Sequence, residues 1–187
     1  MSEDQGASII DFDSAAKLRL EGKMRRLTME RDALVQTMRT NHASTAQIHG
    51  AVLALVDARD LSMLDQRLAG HVRHSLGADV LRVLVEGLQA PDNTRAILGA
   101  PKGLVFRVMD GHNERLGPCQ PYTADVFGKE AEGLSSEMLL RIQVRGREGL
   151  FALGSRDRLT YRPGQGTDLA AFLARVIERL VAAWAPI

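Results

Sequence analysis

The sequence is poor in the features that identify secreted, membrane-bound or strongly charged proteins. Cys119 is the single cysteine in 187 residues, which excludes an intrachain disulfide framework. A formal net charge of +1 gives no overall attraction to nucleic acid or to an anionic membrane. No apolar run approaches the roughly 20 residues that span a bilayer, and the N-terminal MSEDQGASIIDFD lacks the basic and apolar regions of a signal peptide. These absences predict a cytoplasmic protein without a membrane partner.

Aromatic residues and enzyme motifs are also scarce. Five Phe, two Tyr and one Trp supply little material for a stacking cage around a flat ligand. The sequence has no Walker loop, no dinucleotide-binding GxGxxG, no GxSxG and no HExxH motif. The apolar fraction of 45% is nevertheless sufficient for a folded core in one domain. The composition therefore favours a globular protein and identifies neither a reaction nor a cofactor.

The N-terminal region carries a short heptad pattern. We expect residues 1–13 to form a flexible tail and residues 14–40 to form a dimerisation helix. Apolar residues recur every seven positions in two interleaved rows, as in a coiled coil, with an arginine in one row that lowers stability but can fix the register. The alternative is an amphipathic helix that lies on its own domain. The predicted dimer seam consists of Leu20, Met24, Leu27, Arg31, Leu34 and Met38.

The same helix is rich in basic residues, which raises the alternative of nucleic-acid binding. Acidic residues interleave with the basic ones and no aromatic residue accompanies them, so the pattern favours a solvated helix face. Nucleic acid is therefore disfavoured as a partner. The basic residues are Lys17, Arg19, Lys23, Arg25 and Arg26.

The sequence predicts that the first part of the following domain forms helices followed by a strand. Asn41–Ser44 predicts a polar break, followed by a second helix over Thr45–Asp57. Asp60 can cap a third helix, which Gly77 would end. The β-rich run Val80–Val85 predicts the first strand.

The second part of the domain contains a hairpin and a terminal helix. Leu104–Met109 is compatible with a strand or a helical turn, and Thr123–Phe127 predicts a short helix. Met138–Val144 predicts a strand, which the five-residue connection Arg145–Gly149 joins to an antiparallel partner that begins at Leu150. An amphipathic helix follows the polar loop near the C-terminus. The expected fold class is α+β, with a mainly antiparallel sheet flanked by helices and a long N-terminal helix in front.

The C-terminal segment carries the motifs Gly154-Ser155-Arg156-Asp157, Tyr161, Pro163, Gly166-Thr167, Leu169 and Phe172-Leu173. With these motifs the chain resembles a bacterial family, domain of unknown function 484. The resemblance implies a GAF-like domain over residues 41–187 behind a helical segment, although residues 88–117 match poorly. GAF domains in general bind small molecules or serve as dimerising regulatory modules, and the family itself has no established activity.

The polar loop after the last strand is the predicted ligand-binding region. Hydroxyls, guanidinium groups and a carboxylate at one strand end can hold a polar or anionic ligand. Structural roles are the alternative: Asp157 can accept backbone hydrogen bonds, Thr167 can cap the helix, and Arg141 can lie on a solvated outer face. The candidate ligand-binding residues are Arg141, Ser155, Arg156, Asp157, Arg158, Tyr161 and Thr167.

The sequence context of the remaining candidate groups argues against a redox or metal-binding function for them. Cys119 is a weak redox candidate, because a reactive thiol needs nearby positive charge and Arg115 is the only basic residue close to it in sequence. The histidine pairs His42/His49 and His71/His74 lack the additional ligands that complete a metal site, so no metal is expected.

The leading functional hypothesis is a non-enzymatic regulatory or scaffold protein in signalling. It would be a homodimer joined through the N-terminal helix, with a GAF-like domain that receives a small-molecule ligand or an unidentified protein partner. Two alternatives stay open: an enzyme at the same pocket, seeded by Asp157 or Cys119, and a nucleic-acid accessory protein. Large apolar side chains that fill the sheet face of Arg141 would indicate a scaffold with a closed pocket.

Overall fold

The computed structural model describes residues 12–91, 93–163 and 166–184. The chain divides into two compact units, Met1–Ala43 and Ser44–Ile187. Most of the predicted tail lies outside the described residues. The helices are α1 (Phe12–Val56), α2 (Leu61–Arg67), α3 (Arg73–Ser75), α4 (Leu104–Met109), α5 (Thr123–Phe127) and α6 (Asp168–Trp184). The strands are β1 (Val80–Glu86), β2 (Ile97–Ala100), β3 (Glu114–Pro118), β4 (Ser136–Val144) and β5 (Arg147–Ser155).

Helix α1 has no interruption at the predicted polar break. It runs from Phe12 to Val56, so the predicted separation at Asn41–Ser44 is wrong. The physical reason is that Asn, His and Ser weaken a helix by only a fraction of a kcal/mol each, about 0.7 at most, and the segment contains neither glycine nor proline. Beyond it, Ile48 and Leu55 are buried in the core of the second unit, which holds this end of the helix.

The apolar side chains of the first unit are exposed to solvent. The five apolar members of the seam have exposed fractions from 53% for Leu27 to 71% for Met38. Arg31 does not fold back over this seam, because its Nε and one of its terminal nitrogens donate to Asp32 Oδ1 at 3.0 and 2.7 Å. The seam is therefore a solvent-facing apolar row in the single chain.

The helical connection from α1 to β1 follows the sequence prediction closely. Asp60 caps α2, and its Oδ1 accepts a hydrogen bond from the Met63 amide at 2.7 Å. A π-helical turn over Leu68–Val72 joins α2 to α3. Gly77 follows with a φ of +63°, a conformation that glycine adopts without strain.

The sheet has the order β2-β1-β5-β4-β3. β1 and β2 are parallel, and the other three pairs are antiparallel. β4 and β5 are joined by a two-residue turn, Arg145-Gly146, with φ of +51° and +77°. The predicted five-residue connection is therefore wrong, because Val144 already pairs with Arg147. Tight turns with positive φ match the strand twist, which lets the hairpin pair right up to its end.

Both faces of the sheet are covered, and each side has its own apolar core. On the helical face, strand residues such as Val83 and Phe151 pack with α1, α2 and α6 side chains such as Leu64 and Ile177. On the α4/α5 face, strand residues pack with side chains from those two short helices. This second core contains Val80, Leu84, Leu139, Leu150, Ala152, Leu104, Val105, Val108, Met109, Val126 and Phe127. The predicted α+β class with a mainly antiparallel sheet flanked by helices is confirmed.

The poorly matching segment 88–117 contains β2, α4 and most of β3. β2 is anchored by a distant carboxylate: Asp65 of α2 is 3% exposed and accepts hydrogen bonds from the amides of Arg95, Ala96 and Ile97. The three donor–acceptor distances are 2.9, 2.7 and 2.7 Å. A buried, fully bonded carboxylate therefore fixes where this edge strand begins.

None of the helices in the described ranges combines the length and the apolar character needed to cross a bilayer.

Candidate functional site

The predicted polar loop is held together mainly by its own hydrogen bonds. Ser155 is buried, and its hydroxyl lies 3.3 Å from Asp79 Oδ2 and 3.0 Å from Thr160 Oγ1. The Asp157 amide donates to Ser155 Oγ at 3.1 Å, and Asp157 Oδ1 accepts from the Leu159 amide at 2.9 Å. These contacts give Ser155 and Asp157 structural roles in shaping the loop.

The candidate ligand-binding arginines of the loop, Arg156 and Arg158, are exposed. The backbone amide of Arg156 donates to Asp79 Oδ2 at 2.7 Å, which fixes the backbone there, and the residue itself is solvent-exposed, as is Arg158. Exposed guanidinium groups on a polar loop are common on solvated surfaces. Neither arginine is among the residues that line the clefts at Arg141 and Arg82 described below.

Tyr161 and Thr167 point away from a common loop site. Tyr161 is 4% exposed and belongs to the core on the helical face, where its hydroxyl has no hydrogen-bond partner among the residues that the structure describes. Burial, followed by the charge of Asp79, raises the pKa of Tyr161 above its ordinary value. The Thr167 hydroxyl donates to Glu114 Oε2 at 2.5 Å, which ties the start of α6 to β3.

Arg141 lies far from the loop, on the α4/α5 face of the sheet. It pairs with Leu150 across β4 and β5, whereas Ser155 pairs with Ser136. Five residues along a strand correspond to about 17 Å. Arg141 Nε donates to Glu148 Oε2 at 2.7 Å. The seven candidate ligand residues are therefore not brought together at one site.

A polar cleft of about 370 Å³ does surround Arg141. It is lined by Asn113, Arg141, Ile142, Gln143, Glu148 and Arg175. Both of its guanidinium groups are already paired, since Arg141 bonds Glu148 and Arg175 bonds Glu178 at 2.7 Å. Such a cleft holds water and ions more readily than an apolar ligand, because few of its walls are apolar.

The α4/α5 face carries buried polar groups that were not among the predicted site residues. Glu137 of β4 is 2% exposed, and Thr123 Oγ1 donates to its Oε2 at 2.7 Å. Burial raises the pKa of Glu137, while hydrogen bonds from Thr123 and Tyr122 and the charge of Arg115 act in the opposite direction. A buried carboxylate needs such partners, and these fasten α5 to the sheet.

The surroundings of Glu137 include the single cysteine and a stacked arginine. Arg115 lies over the Tyr122 ring, 5.1 Å from its centroid, and donates to the Val108 carbonyl at 2.9 Å. Burial, then the charge of Glu137, raises the pKa of Tyr122 to about 12. The same two causes raise the pKa of the Cys119 thiol. A thiol with a raised pKa carries little thiolate at neutral pH, which disfavours redox or nucleophilic chemistry there.

A second cleft opens on the α4/α5 face, beside the pair of parallel strands. Its volume is about 380 Å³. Arg82 of β1 lies in its wall with a side chain that is 13% exposed, and it forms an ion pair with Glu130. The lining residues are Arg82, Leu84, Leu98, Gly99, Asp125, Val126, Phe127, Gly128, Lys129 and Glu130.

Sequence reasoning missed Arg82 and Glu137, and one signal could have identified both. Each is a charged residue within or beside an apolar strand, in VLRVLV and SEMLL. A sheet covered on both faces leaves no solvated side for such a residue, so it needs a specific partner. The expected solvated outer face does not extend to the middle of the sheet, where Leu139 is fully buried under α4 and α5. Arg141 itself has a side chain that is 29% exposed and lines a polar cleft.

Two solved structures show partial similarity to this chain. The chromophore-binding domain of phytochrome P1 from Stigmatella aurantiaca gives a TM-score of 0.46 with 18% identity, over 74% of this chain and 60% of that one. A mutant of the Stigmatella aurantiaca bacteriophytochrome chromophore-binding domain, in the Pr state, gives a TM-score of 0.47 with 18% identity, over 75% and 60%. This chain thus spans 60% of the length of each. Similarity at this level says nothing about what the chain binds.

No curated protein matches the sequence significantly. The family described as "Protein of unknown function, DUF484" matches residues 3–186, which is nearly the whole chain. This coverage agrees with the resemblance stated from the sequence motifs, which included the N-terminal helical segment. The chain belongs to the DUF484 family.

Proposed function

We propose that this protein is a non-enzymatic regulatory or scaffold protein that dimerises through the N-terminal part of α1. The observation that carries the proposal is the exposed seam. Leu20, Leu27 and Leu34 recur at heptad spacing, and each is more than half exposed in the single chain. Burial of apolar surface stabilises association by about 25 cal/mol per Å², so a row of this kind gains most by pairing with a second copy.

The domain supports a scaffold role through its closed interior. Large apolar side chains of α4 and α5, including Met109 and Phe127, fill the middle of the sheet face that carries Arg141. Because these side chains fill the middle of the face, a ligand could bind only at its margins. Any regulation would then act by linkage, in which a ligand or protein that prefers one arrangement of the dimer shifts its population.

The alternatives have weaker support among the described residues. An enzyme built on Asp157 would use a carboxylate that accepts the Leu159 amide, and one built on Cys119 would use a thiol whose pKa is raised by burial. A nucleic-acid role would rely on the basic cluster of α1, in which Arg26 pairs with the neighbouring Glu30 at 2.8 Å.

The test is the oligomeric state of the full chain and of a seam variant. Sedimentation velocity and native mass spectrometry should give a dimer for the unmodified protein. The double substitution Leu27→Asp with Leu34→Asp should weaken dimerisation by at least about 100-fold, because it places four carboxylates in the paired seam. The domain should remain folded by near-ultraviolet circular dichroism.

Met29→Asp is the matched control, because Met29 is an apolar residue on the same helix but outside the seam, and it is exposed by 70% against 53% for Leu27 and 65% for Leu34. It should leave the dimer intact. A monomeric unmodified protein, or equal dimer loss in the control and the seam variant, would overturn the proposal.

A further inference from the structure

The cleft at Arg82 has features of a ligand site that a dimer scaffold does not require. Its volume of about 380 Å³ falls within the range of small-molecule pockets, roughly 300–1,000 Å³. One part of its wall is apolar, formed by Leu84, Leu98, Val126 and Phe127. A half-buried cation, Arg82, lies beside this apolar wall. An apolar wall with one charged group is the usual composition of a small-molecule site.

Arg82 is an unusual residue for its position. It lies in the middle of β1 on the α4/α5 face, opposite Ala152 of β5, and its side chain is 13% exposed. One guanidinium nitrogen donates to the Leu81 carbonyl at 3.0 Å. Burial lowers the pKa of Arg82, and the charge of Asp65 partly counteracts this. Burying a guanidinium without an anionic partner is strongly unfavourable, so this site requires a carboxylate or an equivalent group.

The partner of Arg82 is much less firmly held than Arg82 itself. Glu130 has a side chain that is 53% exposed, and it lies on the short 3₁₀ segment Gly128–Ala131 that follows α5. The backbone of Arg82 is held in β1, which pairs with β2 on one side and β5 on the other. Since the exposed member of the pair loses little contact when it moves into water, the carboxylate is the exchangeable member.

The other charges at the cleft favour an incoming anion. Asp125 forms its own ion pair with Arg107 of α4 at 3.2 Å. Lys129 is exposed and lines the same cleft, next to Glu130 in sequence. Once Glu130 has moved away, the cleft presents Arg82 and Lys129 with Asp125 already compensated, and its local charge is positive.

We propose that this cleft binds a small organic carboxylate with an apolar body, whose carboxylate group takes the place of Glu130 on Arg82. The apolar body packs against Leu84, Leu98 and Phe127. Glu130 then acts as an internal competitor that occupies the cation when no ligand is bound. This inference is independent of the dimer seam, because all the residues involved belong to the second unit.

The binding is tested by titrating the ¹⁵N-labelled full chain with benzoate and with isovalerate, and following amide shifts by NMR. Shifts should concentrate at residues 82–84, 98–99 and 126–130. Glu130→Gln removes the competing charge but keeps the shape of the side chain, so it should bind both probes about tenfold more tightly than the unmodified protein. Arg82→Met should lose at least about tenfold in affinity, since it removes the cation at similar length.

Arg175→Met is the control, because it removes an arginine from the other cleft and should leave benzoate affinity unchanged. Inorganic phosphate at equal ionic strength is the second comparison and should produce weaker shifts at the same amides, because it cannot use the apolar wall. If Arg82→Met does not fold, the benzoate affinity of Glu130→Gln is sufficient to test the proposal. The proposal is overturned if neither the unmodified protein nor Glu130→Gln shows saturable shifts up to about 10 mM, or if Glu130→Gln gains no affinity. It is also overturned if phosphate binds as tightly as benzoate.

Repeating the titration with the Leu27→Asp, Leu34→Asp variant separates the two proposals. Unchanged benzoate affinity in that variant is expected whether or not the unmodified chain is a dimer. Binding that disappears with the seam would overturn the assignment of the site to residues of the second unit alone.

Discussion

Leucines of the same chain lie in opposite environments in the two units. In residues 12–43 the exposed fraction of Leu20 is 62% and that of Leu34 is 65%, whereas Leu64 and Leu68 in the second unit are fully buried. Both sets recur at intervals of three, four or seven residues, as helical apolar stripes do. The spacing therefore specifies a helix and an apolar face, but not the surface that covers that face.

The difference indicates two separate sources of stability. The second unit buries its apolar residues within one chain, on both faces of a sheet. The N-terminal segment has no such intramolecular core among its described residues, and isolated helices gain little stability in water. Its folding should therefore depend on protein concentration, while that of the second unit should not.

The largest effect is expected from truncating the core of the second unit. Phe151→Ala removes a fully buried ring from β5 and should lower the free energy of unfolding by about 3–5 kcal/mol. Urea denaturation followed by fluorescence of Trp184 and by circular dichroism measures the change. Phe106→Ala is the matched control, because Phe106 is 73% exposed, and it should change stability by less than about 0.5 kcal/mol. Equal losses for the two variants would contradict the assignment of the core.

The next largest effect is expected at the carboxylate that anchors β2. Asp65→Ala leaves three backbone amides without their acceptor and should lower the free energy of unfolding by about 3 kcal/mol. Hydrogen exchange should also accelerate at Arg95, Ala96 and Ile97. Asp57→Ala, at an exposed position near the end of α1, is the control and should leave exchange at those three amides unchanged.

A smaller effect, of the opposite sign, is expected in the N-terminal helix. Arg31→Leu places an apolar side chain at the seam position that now carries a charge. The dissociation constant of the dimer should therefore fall by about tenfold. The concentration dependence of helical circular dichroism and sedimentation equilibrium measure this. Arg26→Leu, outside the seam, should give no comparable gain. A gain of equal size in both variants would indicate nonspecific hydrophobic association.

The smallest effect concerns pH and Glu137. Burial raises the pKa of Glu137 above its ordinary 4.5, so the folded state holds the proton more tightly than the unfolded state. The stabilisation this contributes is complete below pH 4.5 and is lost as the pH rises through the raised pKa. The stability of the unmodified protein relative to Glu137→Gln should therefore fall as the pH rises from 4.5, and then level off.

Thr123→Val sharpens this measurement. It removes a hydroxyl that donates to Glu137, so the pKa should rise further and the fall in stability should extend to higher pH. Denaturant unfolding at a series of pH values gives both curves. A difference between the unmodified protein and Glu137→Gln that does not change with pH would show that the charge of Glu137 makes no contribution.

Sequence periodicity was sufficient for the elements whose partners are local or repetitive. It identified α2 with its Asp60 cap, strand β1, the β4–β5 hairpin and the stripe of α6, because each has an apolar face of its own. β2 was not predictable in this way. Its start is fixed by Asp65, about 30 residues earlier in the chain. Position 99 accepts only glycine, because a Cβ there would lie 2.1 Å from the Leu88 carbonyl oxygen.

The candidate site was less predictable than the fold, for a related reason. The loop residues Ser155 and Asp157 carry polar groups, but the structure uses these groups to bond Asp79, Thr160 and Leu159. Arg82 and Glu137 were overlooked because strand alternation says which residues share a face, but not whether α4 and α5 will cover it. Because α4 and α5 cover that face, Arg82 and Glu137 have little access to water, and each requires a partner within the protein.

The two edges of the sheet have a consequence for how copies of this protein meet. The edge strands β2 and β3 are the shortest, with four and five residues, and β3 ends at Pro118, which has no amide hydrogen to offer a neighbouring strand. Short edges that carry a proline are poor templates for adding a foreign strand, and they protect a protein against sheet-to-sheet aggregation. The self-association proposed above is thereby directed away from the β-structure and towards the helices.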